Sequence, residues 1–205
     1  MIADPRLEQW LHALLAERGL TAVSDCGEAR RVHVDDALAA AEVLEAGPVV
    51  DVGSGGGSPG IPIAVARPDL RVDLLEAQRS KCTFLEAASA ELPNAAVVCA
   101  RAEDHGRGDG RDAYGTAVAQ ALAPPAVALE WCLPLVRPGG KVILLAGEVE
   151  LERVAEAARQ VGGGQPELVA LPGSVRRSLL VVPKVEPTPE RFPRRVGVAR
   201  KRPLA

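Results

Sequence analysis

Residues 49 to 60 read Val-Val-Asp-Val-Gly-Ser-Gly-Gly-Gly-Ser-Pro-Gly, a β-branched run closed by Asp51 and followed by five glycines in eight positions. Bare backbone between a strand and a helix lets a nucleotide-like ligand approach closely. Two spacings compete for this turn. The dinucleotide pattern Gly-x-Gly-x-x-Gly places a pyrophosphate at the helix start, but here it meets Ser58 where its third glycine belongs. The pattern Asp-x-Gly-x-Gly-x-Gly is met in full by Asp51, Gly53, Gly55 and Gly57. It suits a nucleoside with an amino-acid tail, which Asp51 can help to orient.

Two further acids stand where such a ligand needs acceptors. Glu76 closes the run Arg-Val-Asp-Leu-Leu-Glu, 25 positions after Asp51, where a carboxylate accepts both ribose hydroxyls. The next apolar run ends in Cys99-Ala-Arg-Ala-Glu-Asp. There the small Ala102 leaves room for an adenine, and Glu103 can accept from its exocyclic amine. The remaining reactive types form no constellation. His12, His33 and His105 are scattered, so surface or capping roles are expected and no metal site. Cys26, Cys82, Cys99 and Cys132 show no Cys-x-x-Cys spacing, so reduced thiols are expected, with Cys82 and Cys132 in the core. Trp10 and Trp131 are expected to be packing anchors.

The elements that must position these residues alternate. Apolar periodicity predicts helices over 6–18 and 28–45, which precede the first strand and form an amino-terminal helical cap. Strands are predicted at 49–52, 71–75, 95–100, 116–119, 141–146 and 178–183, with a weaker one at 167–171. Helices are predicted at 61–67, 79–91, 126–135 and 150–161, and a polar, exposed loop at 105–112. This order implies a doubly wound α/β fold with a mostly parallel, seven-stranded sheet covered on both faces. Pro68-Asp69, Pro93-Asn94, Pro138-Gly139-Gly140 and Gly162-Gly163-Gly164 punctuate it. The organisation is a single folded unit: the cap at 1–46, a ligand-binding core at 47–185 and a tail at 186–205.

Composition sets outer limits. The 205 residues are 47% hydrophobic but only 2% aromatic, so the core is built from Ala, Val and Leu, and stacking platforms are not the main binding device. No stretch is long enough to span a bilayer and no leader is evident, so a soluble, cytoplasmic protein without membrane contact is expected. The net charge of −3 hides an asymmetry: Arg191, Arg194, Arg195, Arg200, Lys201 and Arg202 crowd the last fifteen positions without an acid. Such a tail suits a polyanion such as RNA, and a solvated terminus explains the charge equally well.

The combination of glycine turn, second-strand acid and Leu135-Val-Arg-Pro-Gly-Gly-Lys141 resembles the class I S-adenosylmethionine-dependent methyltransferases, a Rossmann-like fold. A narrower likeness lies in Asp51-Val-Gly-Ser-Gly-x-Gly-x-Pro-Gly-Ile-Pro62, His33-Val-Asp-Asp36, Lys81-x-x-Phe-Leu85, Arg101-Ala-Glu103 and the closing Phe192-Pro-Arg-Arg-x-Gly197 through Lys201-x-Pro-Leu204. These resemble the ribosomal RNA small-subunit methyltransferase G family (RsmG, also called GidB). The resemblance implies S-adenosyl-L-methionine as cofactor, N7 of a guanine in 16S ribosomal RNA as methyl acceptor, the RNA or small ribosomal subunit as partner, and a monomer. It places Gly53, Ser58, Ala102 and Glu103 in the cofactor site, with Gln120 beside them, and Arg194, Arg195, Arg200, Lys201 and Arg202 on RNA.

Departures from the family pattern keep alternatives open. Gln120 stands where the family has an arginine, Ala146 where it has a lysine, and Glu17-Arg-Gly19 replaces a Trp-Asn pair. Glutamine cannot reproduce a bidentate arginine grip. A class I methyltransferase with another acceptor, or a catalytically weak protein that binds RNA or S-adenosylmethionine, remains open at this point.

Overall fold

A computed structural model describes residues 4–45, 47–147, 149–171 and 178–205. Its centre is a seven-stranded sheet of β1 (Val49–Val52), β2 (Val72–Glu76), β3 (Ala95–Cys99), β4 (Tyr114–Gln120), β5 (Val136–Ala146), β6 (Glu167–Ala170) and β7 (Ser178–Pro183). The order is β3-β2-β1-β4-β5-β7-β6, and β7 runs antiparallel to both neighbours. β1, β2 and β4 run parallel, and the strand order reverses between β1 and β4, so the connections leaving their carboxyl ends part to opposite faces and open a crevice, the usual ligand position in open α/β sheets.

Alternation along β1 shows why both faces are covered. Val49 packs into one apolar cluster and Val50 and Val52 into the other. The first cluster is closed by α1 (Pro5–Ala16), α2 (Cys26–Arg30), α3 (Asp36–Glu42), α4 (Gly60–Ala66) and α5 (Arg79–Ala88). The second is closed mainly by α7 (Pro125–Cys132) and α8 (Leu151–Gln160). Helix α1 begins as its sequence dictates: the Asp4 carboxylate accepts from Arg6 N, Pro5 occupies the first turn, and Leu7, Trp10, Leu11 and Leu14 face inward.

Several expectations require correction. The helix predicted over 28–45 is α2 and α3 joined by a π-helical turn, Arg31–Asp35. The loop predicted at 105–112 begins inside a short helix, α6 (Ala102–His105), and is partly buried. Pro138-Gly139-Gly140 does not end an element but bulges within a longer β5, whose pairing jumps from Tyr114↔Val136 to Thr116↔Lys141. The cysteines are not all reduced. Cys82 and Cys99 are disulfide-bonded, because the β2–α5–β3 crossover sets the first turn of α5 over the end of β3. The 186–205 segment is only partly solvated. It carries α9 (Val198–Lys201), and Phe192 and Ala199 lie buried in the second cluster.

Candidate cofactor site

Asp51 is fully buried at the end of β1, and its Oδ2 accepts from Gly60 N at 3.0 Å, fixing the start of α4. Its Oδ1 has no hydrogen-bond partner among the described residues. Burial pushes its carboxyl up to about 7, against the pull of the Gly60 N–H and the Ser54 hydroxyl, and the Glu76 charge adds to the rise. Beyond Asp51 the chain turns sharply. Gly53 N and Ser54 N both donate to Leu75 O. Gly53 has φ +73°, a conformation that favours glycine, and a Cβ there would lie 2.4 Å from Leu122 Cδ1 and push that side chain aside. Trp10 Nε1 supports the turn from beneath by donating to Gly56 O at 2.8 Å.

Above the turn opens a cleft of about 530 Å3 at the carboxyl ends of the strands, within the roughly 300–1,000 Å3 usual for small-molecule sites. Gly53, Gly55, Glu76, Ala102 and Glu103 line it, together with residues that the sequence reading did not assign to a site: Lys81, Arg101, Leu122, Trp131, Val196 and Gly197. Arg200, read as an RNA contact, lines it too.

The residues present fit an adenosyl ligand. Glu76 Oε1 accepts from Ala77 N and Gln78 N, each at 2.8 Å, and Oε2 accepts from Gly55 N at 3.0 Å. A carboxylate offers about four acceptor positions, so one remains for a single ribose hydroxyl instead of the two expected, and the group is already oriented. Glu103 is buried, and its Oε1 accepts from Gly197 N at 3.2 Å, leaving Oε2 for an exocyclic amine. The buried indole N–H of Trp131 has no partner among the described residues.

Asp51, Gly57, Ser58 and Gln120 do not line this cleft. Gly57 backs onto Ile61 and Trp10. The Ser58 hydroxyl lies 2.7 Å from Gln120 Oε1 and 3.1 Å from His33 O, and Gln120 Nε2 donates to Val32 O at 3.0 Å. Val32 and His33 belong to the π-helical turn, and their carbonyls face these side chains. Ser58 and Gln120 therefore tie the amino-terminal cap to the glycine turn. His33 joins them, with Nε2 2.9 Å from Thr21 Oγ1.

The basic residues divide. Arg194 forms a two-pronged ion pair with the buried Glu130, and the Arg200 guanidinium lies 5.3 Å above the Trp131 ring. Arg195, Lys201 and Arg202 are exposed. Arg107 and Arg111, which sequence reading passed over, donate to the carbonyls of Pro193, Phe192 and Thr188 and hold the tail. Their only sequence signal is a pair of cations in a polar loop. His105 Nε2 is 2.9 Å from Tyr114 Oη, which donates to Asp73 Oδ2 at the opposite end of the strands. Among the described residues no three His, Cys, Asp or Glu side chains gather closely enough for a metal ion, and no helix is long and apolar enough to cross a membrane.

A smaller pocket of about 210 Å3 lies beside the cleft at the ends of β4 and β5. It is lined by Ala119, Ala121, Leu122, Ala123, Leu144 and Ala146 among others, and it shares Ala121 and Leu122 with the cleft. None of its lining residues is charged.

The reversed strand order, the glycine turn after β1 and the acids after β2 and β3 define a class I S-adenosylmethionine-dependent methyltransferase. Solved structures share the fold. The Thermus thermophilus 16S rRNA N2 G1207 methyltransferase in complex with AdoMet and guanosine aligns with a TM-score of 0.56 at 20% identity, covering 78% of this chain and 40% of that one. The S-adenosylmethionine-dependent methyltransferase SibL aligns at 0.60 and 16% identity, over 86% and 62%. The sequence then narrows the class. Residues 5–179 match the GidB family, rRNA small subunit methyltransferase G, and the chain belongs to that family. The Ribosomal RNA small subunit methyltransferase G of Pelotomaculum thermopropionicum is 40% identical, covering all of this chain and 93% of that relative. That of Moorella thermoacetica is also 40% identical, over 90% and 82%.

Proposed function

We propose that this chain methylates N7 of a guanine in 16S ribosomal RNA, with the base presented at the neutral pocket beside the cleft. The observation that carries the reading is the convergence of Glu76 and Glu103 on one cleft above a glycine turn, in a chain of this family. S-adenosyl-L-methionine supplies an activated methyl group on a sulfonium. Glu76 orients the ribose, Glu103 takes the adenine amine, and Gly53 and Gly55 let the backbone approach the amino-acid tail.

N7 of guanine carries a free lone pair and no proton, so this chain needs no general base. Its task is alignment, which contributes up to ~7–11 kcal/mol of barrier lowering. A paired guanine must also be exposed, at a cost of roughly a few kcal/mol. Arg195, Lys201 and Arg202 are free to meet phosphates and offset it.

The test is transfer of labelled methyl by the full chain to small subunits and to 16S RNA from a strain lacking the gene, followed by mapping of the product. Label at guanine N7 supports the reading. Binding of S-adenosylhomocysteine without transfer to either RNA overturns the acceptor. It then favours a different acceptor, a reading supported by the turning of Gln120 toward the cap.

A further inference from the structure

The end of the chain does more than carry charge. Its backbone at 188–194 is clamped by Arg107, Arg111, the Arg194–Glu130 pair and the buried Phe192. Beyond that clamp, Val196, Gly197 and Arg200 reach across and line the same cleft as Glu76 and Glu103. Three contacts hold them there. Gly197 N donates to Glu103 Oε1 at 3.2 Å, Arg200 sits over the Trp131 ring, and Arg200 Nη2 donates to Leu122 O at 3.4 Å. Leu122 is also the residue that crowds Gly53. Gly197 caps α9 at φ +79°, and no heavy atom lies within 4 Å of where its Cβ would be. Glycine is therefore required there by the turn that aims the amide, not by crowding.

We propose that residues 196–200 form the adenine-side wall of the cofactor site, with Glu103 holding the tail through one oxygen and the adenine amine through the other. The proposal rests on the methyltransferase reading of this cleft. Its consequence is coupling. A carboxylate shared by two partners binds each better when the other has already fixed it, and linkage makes the effect reciprocal. Cofactor binding tightens the tail, and tail docking tightens the cofactor. The tail also carries Arg195, Lys201 and Arg202 at its surface, so a loaded cleft presents these cations in a fixed arrangement and an empty one presents them loosely.

Trypsin reads the docking on the intact chain, because Arg195, Arg200 and Lys201 are exposed. S-adenosylhomocysteine and adenosine should each slow cleavage after Arg200 and Lys201 by at least about fivefold, the lower end of ordinary coupling. Homocysteine, which lacks the adenine, should not. Calorimetry gives the reverse arm: Arg200→Ala should weaken S-adenosylhomocysteine binding by about 5- to 30-fold, within the usual range of coupling, and a cooperative melt of the ligand-free variant checks that it is folded. Binding by the full chain with neither protection of the tail nor loss on Arg200→Ala would overturn the proposal alone. Absence of any S-adenosylhomocysteine binding by the full chain would overturn the methyltransferase reading and this proposal with it.

Discussion

Arg194→Ala should destabilise the protein through a group it leaves behind. Glu130 is 1% exposed in its side chain, and its carboxylate accepts Arg194 Nε at 2.7 Å, Arg194 Nη2 on the other oxygen, and Arg194 N at 3.2 Å. The substitution removes both guanidinium bonds and keeps only the backbone one. It also frees Arg202 O, to which Nη2 donates at 2.7 Å. Breaking a buried pair from one side costs about 3–5 kcal/mol. Arg194 is 24% exposed, so water reaches the stranded carboxylate and the lower end, about 3 kcal/mol, applies. For a chain of this size that is a fall in Tm of roughly 6–12 °C. Urea unfolding of Arg194→Ala, Glu130→Leu and the double variant closes the cycle. The double variant should be more stable than Arg194→Ala alone, since it no longer buries an unpaired charge, with a coupling of about 2 kcal/mol. A loss below about 1 kcal/mol in Arg194→Ala, or a coupling near zero, would refute the reasoning and show that the tail is not docked by this pair.

Other groups respond in distinct ways. Glu76→Ala should weaken S-adenosylhomocysteine binding by about 10- to 100-fold in calorimetry, as loss of one charge-assisted bond implies; unchanged affinity would remove Glu76 from the site. Gln120→Ala removes the bonds to Ser58 and Val32 and should cost about 1–3 kcal/mol, with hydrogen exchange accelerating across residues 26–42; unaltered exchange there would refute the clamp. Lys184 is buried, and desolvation, with Arg111 adding and Asp112 opposing, holds its amine down to about 8. The unfolded chain thus binds more protons between about pH 8 and 10.5, so this group makes stability rise with pH there, by at most about 1.4 kcal/mol per unit. Measured by urea unfolding, wild type should gain on Lys184→Met across that window, and a constant difference would contradict the assignment.

The parts of the site that share a local pattern were legible in the sequence. The glycine turn, Glu76 and Glu103 each sit at the end of an apolar run, and the parallel crossover rule brings those ends together without knowledge of any side chain. Strand existence was equally plain, while strand limits were not, because the Pro-Gly-Gly in β5 reads as a stop but is absorbed by a bulge. What escaped depends on partners distant in sequence. Gln120, expected on the cofactor side, has a partner in Val32 O 88 positions away. Arg194, expected on RNA, has a partner in Glu130, 64 positions back. The π-helical turn was invisible for a different reason, since its composition is that of an ordinary helix and only its carbonyl partners distinguish it. Short helices such as α6 and α9, at four residues each, fall below the length at which periodicity can be read.

The division of the basic residues also changes how this protein should hold RNA. An arginine at position 120 and a lysine at 146 would have placed charge at the mouth of the site; Gln120 instead donates to the cap, and Ala146 is neutral. Phosphate attraction then falls on cations with no internal partner to satisfy. Of the five basic tail residues expected to meet RNA, Arg194 is committed to Glu130 and Arg200 to Trp131 and Leu122. Arg195, Lys201 and Arg202 point their charge at solvent. Each phosphate neutralised on a single strand contributes about 0.7 to the slope of log K against log salt. Replacing Arg195, Lys201 and Arg202 together by alanine should therefore flatten that slope by about 2, with the fold intact. Arg200→Ala should leave the slope within about 0.3 of wild type, because its guanidinium is held against the Trp131 ring and Leu122 O. Titration of a 16S fragment at several salt concentrations distinguishes the two. An equal change in both variants would mean that the guanidinium over Trp131 leaves its ring to meet RNA.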